Sequence, residues 1–284
     1  MVLDASITAF FIFVVLLLGV IYYKRRSLII SGVMVMYKTQ RGKEYIDSLA
    51  KRHPRFWHHF GTLGVAAGVL AIIFMVYVLL NTTIGVIQGG APGVALVLPG
   101  SGYSTTPGAI FFPWYVWILA VGIMFIPHEL SHAVICRRYG IKVKSVGLLL
   151  LAIFPGAFVE PDEKQLKRAK LFTRLRVYAV GSFTNIVTAG AFYLLLIAML
   201  LVIPRPFSPV SVEILNSIKA IVLVTLGVGL FNALPIYPLD GGKFFHDIVE
   251  KYSPKGAKGI TLSMSLFLVL IVVFNLSSAL LGTF

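Results

Sequence analysis

Residue types that can bind a metal ion and activate a metal-bound water lie within five consecutive positions of one apolar segment, His128-Glu129-Leu130-Ser131-His132. On an α-helix, residues four apart lie on the same face, so the two imidazoles can bind one metal ion. Glu129 is offset from them, which places its carboxylate beside the metal's open position instead of on the metal. The pattern therefore predicts a zinc site with Glu129 as general base. The alternative is a pair of structural histidines, but polar groups inside an apolar helix are costly unless they have a function.

A catalytic zinc usually has three protein ligands, so a second element must supply the third. Asp240 is the candidate, because it follows another apolar segment in the sequence Pro238-Leu239-Asp240-Gly241-Gly242. We expect Pro235 and Pro238 to end the preceding helix and the glycines to let the backbone turn, so that the carboxylate faces inward. Two alternative ligands are His246, in a polar segment, and Cys136, one turn after His132.

The composition excludes an ordinary soluble protein, since 58% of the residues are hydrophobic and only 13% are charged. A helix that crosses a membrane needs about 20 mostly apolar residues. Six segments qualify: 5–23, 61–80, 114–136, 177–203, 214–234 and 260–282. The sequence thus predicts an all-α polytopic membrane protein with six transmembrane helices. We divide it into an N-terminal two-helix region with a basic loop (1–113), a catalytic three-helix core (114–245) and a C-terminal helix (246–284).

The basic residues predict how the chain is oriented in the lipid bilayer. Of the 25 Lys and Arg residues, 23 lie in segments 24–59, 137–176 and 243–258, whereas 81–113 has no charge. Because cytoplasmic loops are enriched in Lys and Arg, we expect a multi-pass cell-membrane protein with both termini on the non-cytoplasmic side. The zinc site then lies toward the cytoplasm. The net charge of +14 reflects this topology and attraction to anionic lipid, so no nucleic-acid partner is expected.

Segment 145–160 is apolar but too short to cross the membrane, and basic residues precede and follow it. We therefore predict a short re-entrant, β-like segment whose exposed strand edge pairs with an extended substrate. The alternative is an interfacial loop with no role in substrate binding. A further strand is expected near Val33–Tyr37, a helix up to Arg52, and turns with a hairpin in 81–113.

Four motifs together resemble the site-2 protease family of intramembrane zinc metalloproteases, in its archaeal form without a PDZ domain. They are HELSH, the segment Gly181-Ser-Phe-Thr-Asn185, Pro238-Leu-Asp240-Gly, and Gly156-Ala-Phe-Val-Glu160-Pro161. The resemblance covers about 115–245. The chain departs from the family pattern at Ser182, where a proline is common, and it has no PDZ-like insert between the second and third spans.

This resemblance implies hydrolysis of peptide bonds within the transmembrane segments of single-span membrane proteins. Zn²⁺ would polarise the scissile carbonyl, and Glu129 would act as general base and then as general acid. Asn185 would donate a hydrogen bond to the developing oxyanion, although an interhelical hydrogen bond is an alternative role for its amide. Two other classes remain: a zinc-binding transporter or sensor without hydrolysis, which has no need of Glu129, and an inactive membrane scaffold.

Overall fold

The computed structural model describes residues 5–24, 28–31, 34–90, 93–151 and 154–281. The helices in these ranges are α1 Ala5–Lys24, α2 Lys43–Arg52, α3 Pro54–Ile87, α4 Trp114–Arg138, α5 Glu163–Arg168, α6 Leu171–Val202, α7 Pro209–Asn232, α8 Asp240–Tyr252 and α9 Ala257–Leu281. The strands are β1 Leu28–Ser31, β2 Met34–Thr39, β3 Leu96–Gly100, β4 Ser104–Thr106, β5 Ala109–Pro113, β6 Val143–Leu151 and β7 Phe154–Pro161.

Five of the helices are long and apolar enough to cross a membrane: α3, α4, α6, α7 and α9. They coincide with five of the six predicted segments and confirm a polytopic membrane protein. The helix α3 begins and ends well outside the predicted 61–80, because helical hydrogen bonding continues through polar turns that carry no hydropathy signal. The first predicted span coincides with α1, a helix of 20 residues. That α1 crosses the membrane stays a prediction.

Close packing of α3 against α6 sets the position of the central helix α6. A Cβ atom at Gly64 would lie 3.6 Å from the Val180 Cα, and one at Gly68 would lie 3.2 Å from the Ala179 Cβ. Small residues at such spacing let two membrane helices approach closely, which favours their association through van der Waals contact. The helix α6 also packs on α4, α7 and α8, so it contacts both helices that carry the predicted metal ligands.

A four-stranded antiparallel sheet in the order β1-β2-β6-β7 lies beside the helices. The β6–β7 hairpin shows that the segment predicted as β-like forms strands, with Val146 opposite Val159. The strand β2 and the helix α2 agree with the strand expected near Val33–Tyr37 and the helix up to Arg52, although Val33 itself lies outside the described residues. Because β6 pairs with both β2 and β7, the edge of the β6–β7 hairpin that no described strand pairs with belongs to β7, and β1 is the other edge strand of the sheet. That the hairpin dips into the membrane stays a prediction.

A second sheet, in the order β3-β5-β4, lies at the other end of the bundle. Its β4–β5 hairpin matches the one expected in 81–113, whereas the parallel pairing of β3 with β5 was not expected. The sheet and α4 are joined to α7, because the hydroxyls of Tyr103 and Tyr115 donate to one Glu213 carboxylate oxygen at 3.0 and 2.6 Å. These bonds fix the start of α4 relative to α7.

The three segments rich in Lys and Arg meet at the opposite end of the bundle from this sheet. Arg137 forms an ion pair with Asp47, and Arg174 forms one with Asp247. The Lys43 ammonium donates to the main-chain carbonyl of Lys144. One end of the molecule is therefore strongly basic, as the predicted topology requires; its cytoplasmic location stays a prediction.

Candidate metal centre

Three side-chain atoms from α4 and α8 converge at one point inside the bundle. The Nε2 atoms of His128 and His132 are 3.1 Å apart. The Asp240 Oδ2 atom lies 3.2 Å from the first and 3.0 Å from the second. His128 is buried, and the other two side chains are mostly buried. The structure thus brings together the two histidines and the aspartate that the sequence singled out.

The hydrogen bonding of these atoms fits a bound zinc ion. The His132 Nδ1 atom lies 2.6 Å from the Val177 carbonyl oxygen, which can only accept, so Nδ1 donates and Nε2 is the nitrogen that faces the metal position. Its neighbour at 3.0 Å is a carboxylate oxygen, and a proton or a metal cation must lie between the two atoms. Tetrahedral zinc with bonds of about 2.0–2.1 Å separates its ligands by about 3.3 Å. The observed separations of 3.0–3.2 Å are close to that value.

Gly181 of α6 makes room for the two imidazoles. A Cβ atom at this position would lie 2.6 Å from the His128 Nε2 and would overlap the His132 Nε2. Four residues earlier, the Val177 carbonyl orients the same ring of His132. The helix α6 therefore positions the metal ligands of α4 without supplying a ligand of its own.

We expect Gly181→Ala to lower zinc affinity by about 10- to 100-fold, the range typical of changes in the groups that orient metal ligands. The added methyl group displaces both rings from the geometry described. Zinc retained after dialysis against a graded chelator series measures the effect. Gly190→Ala is the matched control, since it lies in the same helix and its Cβ would meet nothing within 4 Å. Equal zinc retention in the two variants would contradict this role for Gly181.

Asp240 is the first residue of α8, which begins after a short connection from the end of α7 at Asn232. Gly241 and Gly242 lie in the first turn of α8, and neither has a positive φ. The expectation that they supply a tight turn was wrong. A Cβ atom at Gly241 would overlap the Ala233 carbonyl, and one at Gly242 would overlap the Ile236 carbonyl. The glycines let α8 pack directly on the connection, which holds Asp240 against α4.

Glu129 faces the cavity beside the metal ligands. Its Oε2 atom accepts a hydrogen bond of 3.0 Å from the main-chain N–H of Val159 in β7. The carboxylate is not one of the three converging ligands, as a general base requires. The open strand edge of β7 thus orients Glu129 in this structure.

Asn185 lies one turn beyond Gly181 and is completely buried. Its amide nitrogen and oxygen have no hydrogen-bond partner in the described parts of the chain. Its side chain packs on α7, where a Cβ atom at Gly229 would lie 2.7 Å from the Asn185 Cβ. The residues that line the cavity do not include Asn185. The oxyanion role therefore stays a prediction, and the amide is available for it.

A cavity of about 1080 Å³ connects the site to the basic end of the molecule, with Glu129, His132 and Asp240 in its lining. Toward its mouth, the Ser145 hydroxyl and the Lys38 ammonium bind Glu160 at 2.6 and 2.9 Å. These contacts lower the pKa of the Glu160 carboxyl, and the hydrogen bond from Ser145 has the largest effect.

The two alternative ligands lie apart from the converging atoms. The His246 Nδ1 atom is 3.1 Å from the Thr261 Oγ1, and its ring lies with Asp247 and Glu250 in a separate group. Burial raises the pKa of Asp247, which Arg174 opposes through an ion pair of 2.8 Å. Cys136 belongs to an apolar core cluster. Neither residue competes with Asp240 for the metal position.

Comparison with known proteins agrees with this geometry. The family model described as peptidase family M50 matches residues 116–208 and 207–274. The chain belongs to peptidase family M50. Among M50-like relatives, a zinc metalloprotease of Methanocaldococcus jannaschii is 26% identical, over 62% of this chain and 48% of that protein. The membrane-bound transcription factor site-2 protease homolog of Arabidopsis thaliana is 26% identical, over 55% of this chain and 28% of that protein.

Another Methanocaldococcus jannaschii protein, of uncharacterised function, is 28% identical over 61% of this chain and 47% of its own length. The chain therefore spans about half or less of the length of these M50-like relatives. No solved structure matches it. The resemblance to the site-2 protease family is confirmed.

Some groups that shape this M50 site were not predicted as functional from the sequence. The carbonyl of Val177 and the N–H of Val159 belong to the main chain, so no residue type identifies them. Gly181 did carry a signal, because a glycine inside an apolar helix weakens it and so indicates close packing.

Proposed function

We propose that this M50 chain is a zinc metalloendopeptidase that hydrolyses peptide bonds within the transmembrane segments of membrane proteins. The observation that carries the proposal is the convergence of His128, His132 and Asp240 beside a carboxylate that is not a ligand, Glu129. A general base next to, but not on, a three-ligand metal position is the arrangement that hydrolysis requires. The names of the zinc metalloprotease and site-2 protease relatives support the same activity.

Each residue of the site has a separate role in the proposed hydrolysis. His128, His132 and Asp240 would hold zinc, which when bound supplies a Lewis acid that polarises the scissile carbonyl and acidifies water. Glu129 accepts the proton of the attacking water and then delivers it to the leaving amide nitrogen. The Asn185 amide donates a hydrogen bond to the oxyanion that develops on the carbonyl oxygen. Asn185 is buried against α7 and does not line the cavity, so this contact requires the carbonyl oxygen to enter between α6 and α7.

The open edge of β7 supplies a place for an extended substrate. Because Val159 directs its N–H at Glu129 and not at β6, the alternation of an antiparallel ladder directs the N–H of Ala157 to the same edge. No strand of the described residues pairs with that edge. A substrate segment added there would run past Glu129 and the metal ligands, with its freed N–H and C=O groups paired. The edge expected within 145–160 is thereby assigned to β7.

Substrate unwinding should limit the rate of cleavage. A membrane helix hides its scissile carbonyl behind internal hydrogen bonds, and exposing unpaired groups to lipid is costly. We expect Gly, Pro or Asn in the cytoplasmic third of a single-span substrate to speed cleavage, and Leu-rich replacements there to slow it. Initial rates for a substrate series that differs only at those positions measure the effect. Rates that are equal across the series would contradict the need for unwinding.

We expect Ala157→Pro to slow cleavage at least tenfold while leaving zinc content unchanged. Proline removes an N–H from the open edge and leaves the ladder between β6 and β7 intact, because a strand tolerates proline where its N–H points outward. Ala157→Val is the control, since it enlarges the side chain but keeps the N–H. Proline at Leu149 or Leu150 does not test this point, because β6 is an inner strand with partners on both sides. Equal cleavage by the Pro and Val variants would exclude strand pairing at β7.

The transporter or sensor alternative is not favoured, because a protein that only binds or transports zinc has no need of a carboxylate beside the metal position that is not a ligand, as Glu129 is. We further propose a multi-pass cell-membrane location with the site toward the cytoplasm and single-span proteins as substrates. The meeting of the three Lys- and Arg-rich segments at the mouth end of the cavity supports this orientation. Incubating the purified protein with a panel of labelled single-span proteins, with and without chelator, tests the function. Chelator-sensitive cleavage supports it, and the absence of any cleavage by zinc-loaded protein contradicts it.

A further inference from the structure

The arginines at the basic end of the bundle fall into two kinds. Arg137 is paired with Asp47, with 2.8 Å between Nη2 and Oδ2, and Arg174 is paired with Asp247. Arg138 and Arg176 are also half-buried, but no carboxylate in the described ranges lies within ion-pair distance of either. Two half-buried positive charges are therefore left without a counter-ion from the protein.

These two guanidinium groups share one aromatic ring. The Arg138 Cζ lies 5.5 Å and the Arg176 Cζ 5.4 Å from the centre of the Tyr139 ring. Each guanidinium is held by its Nε: that of Arg138 donates to the Pro54 carbonyl at 2.9 Å, and that of Arg176 donates to the Thr62 hydroxyl at 3.1 Å. The hydrogen bonds described for these arginines leave their terminal NH₂ groups free to bind a ligand.

Histidines of α3 add donors at the same place. The His58 Nδ1 atom is 2.9 Å from the Tyr139 hydroxyl, and the His58 and His59 rings are in edge contact at 5.4 Å. Side chains from α3, α4 and α6 thus surround Tyr139. The guanidinium charges of Arg138 and Arg176, both near this ring, repel each other, and an anion between them removes that cost.

The cluster lies near the ends of two candidate membrane-spanning helices, where lipid headgroups are expected. Arg176 is in the second turn of α6, and the histidines are near the start of α3, two of the helices long enough to span the membrane. Aromatic side chains are enriched at the membrane–water interface, and here Phe56 and Phe172 are exposed beside the basic groups. Arg176 lies 4.9 Å from the Phe172 ring. One turn after His59 on α3, Leu63 is 59% exposed and presents an apolar surface.

We propose that Arg138, Arg176 and the adjacent α3 histidines form a binding site for the phosphate group of an anionic phospholipid. The planar guanidinium groups bind phosphate oxygens through their free NH₂ groups, and the acyl chains lie along the exposed apolar face of α3. Basic pockets between membrane helices are suited to anionic headgroups. The site is separate from the metal centre and does not rest on the proposed proteolysis.

Lipid retention by the full-length, zinc-loaded protein tests the site. The protein is placed in nanodiscs of phosphatidylcholine with phosphatidylglycerol, and native mass spectrometry after release from the discs measures which lipids stay bound. We expect wild type to retain phosphatidylglycerol over phosphatidylcholine. Arg138→Gln/Arg176→Gln should lose that preference at least tenfold, and each single substitution should lose part of it. Arg138→Lys/Arg176→Lys should keep part of it, because the charges remain but the planar NH₂ groups that bind the phosphate oxygens are lost.

The control is Lys251→Gln/Lys255→Gln, which removes the same charge from two exposed positions, one in the last turn of α8 and one just after that helix. It should retain the lipid as wild type does. If Arg138→Gln/Arg176→Gln and Lys251→Gln/Lys255→Gln lose the lipid preference equally, the effect is one of general charge and the proposed site is overturned. Equal retention of the two lipids by wild type would overturn it as well. Competition by free inorganic phosphate at millimolar concentration would show a soluble-anion site instead of a lipid site. If the double Gln variant does not fold, the single substitutions and the Lys pair decide the question.

Discussion

Glu129→Gln is expected to keep its zinc and its fold and to lose at least about 100-fold in proteolytic rate, the usual contribution of a general acid–base group. The glutamine amide cannot take the proton of the attacking water. Its oxygen can still accept the Val159 N–H, so the variant preserves the contact between α4 and β7. Zinc content by plasma mass spectrometry and the rate of cleavage of one single-span substrate give the two readings.

Glu163→Gln is the control for this variant, because Glu163 also lines the cavity but lies toward its mouth in α5. We expect near-normal turnover from it. Near-normal turnover by Glu129→Gln would instead place the base elsewhere or indicate a function without hydrolysis.

Asp240→Ala is expected to lose zinc, with a fall in affinity greater than the roughly 10- to 100-fold that follows loss of a group outside the ligand set. The remaining ligands would be the two imidazoles of α4, and Asp240 is the only carboxylate of the described residues that converges with both Nε2 atoms, at 3.0–3.2 Å. Activity should fall with the zinc content and should return in part at high zinc concentration.

The Glu250→Ala variant is the control that distinguishes this metal centre from the second group of possible metal ligands, which lies on α8. Glu250 is 45% exposed and lies with His246 and Asp247, away from the α4 histidines. The Glu250→Ala variant should keep its zinc. Full zinc content and full activity in Asp240→Ala would show that another residue is the third ligand, and loss of zinc in Glu250→Ala would point to the second group.

The parts of the site that follow from local helix geometry were predictable from the sequence. Residues four apart on a helix must share a face, so His128 and His132 were expected to converge, and their Nε2 atoms are 3.1 Å apart. The same holds for the long apolar segments, because a membrane requires its spanning elements to satisfy their own backbone hydrogen bonds. The end of α7 before Pro235 also agrees with the loss of an N–H at proline.

The parts that depend on packing between distant elements were not predictable. Gly241 and Gly242 were interpreted as turn formers, whereas they permit contact with carbonyl groups of the preceding connection. The short apolar length and the basic flanks predicted a β-like segment at 145–160 but could not show that β2 covers one edge of β6 and leaves an edge of β7 open. Strand pairing is set by neighbours far away in the chain, for which a single sequence carries no signal.

The position of the cut bond is the most direct test of zinc-dependent cleavage within the membrane. A single-span substrate is reconstituted with the zinc-loaded protein in liposomes, and mass spectrometry of the products identifies the bond. We expect a cut within the cytoplasmic third of the substrate's transmembrane segment that disappears with chelator and returns when zinc is added. Cleavage only outside that segment, or cleavage that persists after zinc is removed, would contradict the proposal that this M50 chain is an intramembrane zinc protease.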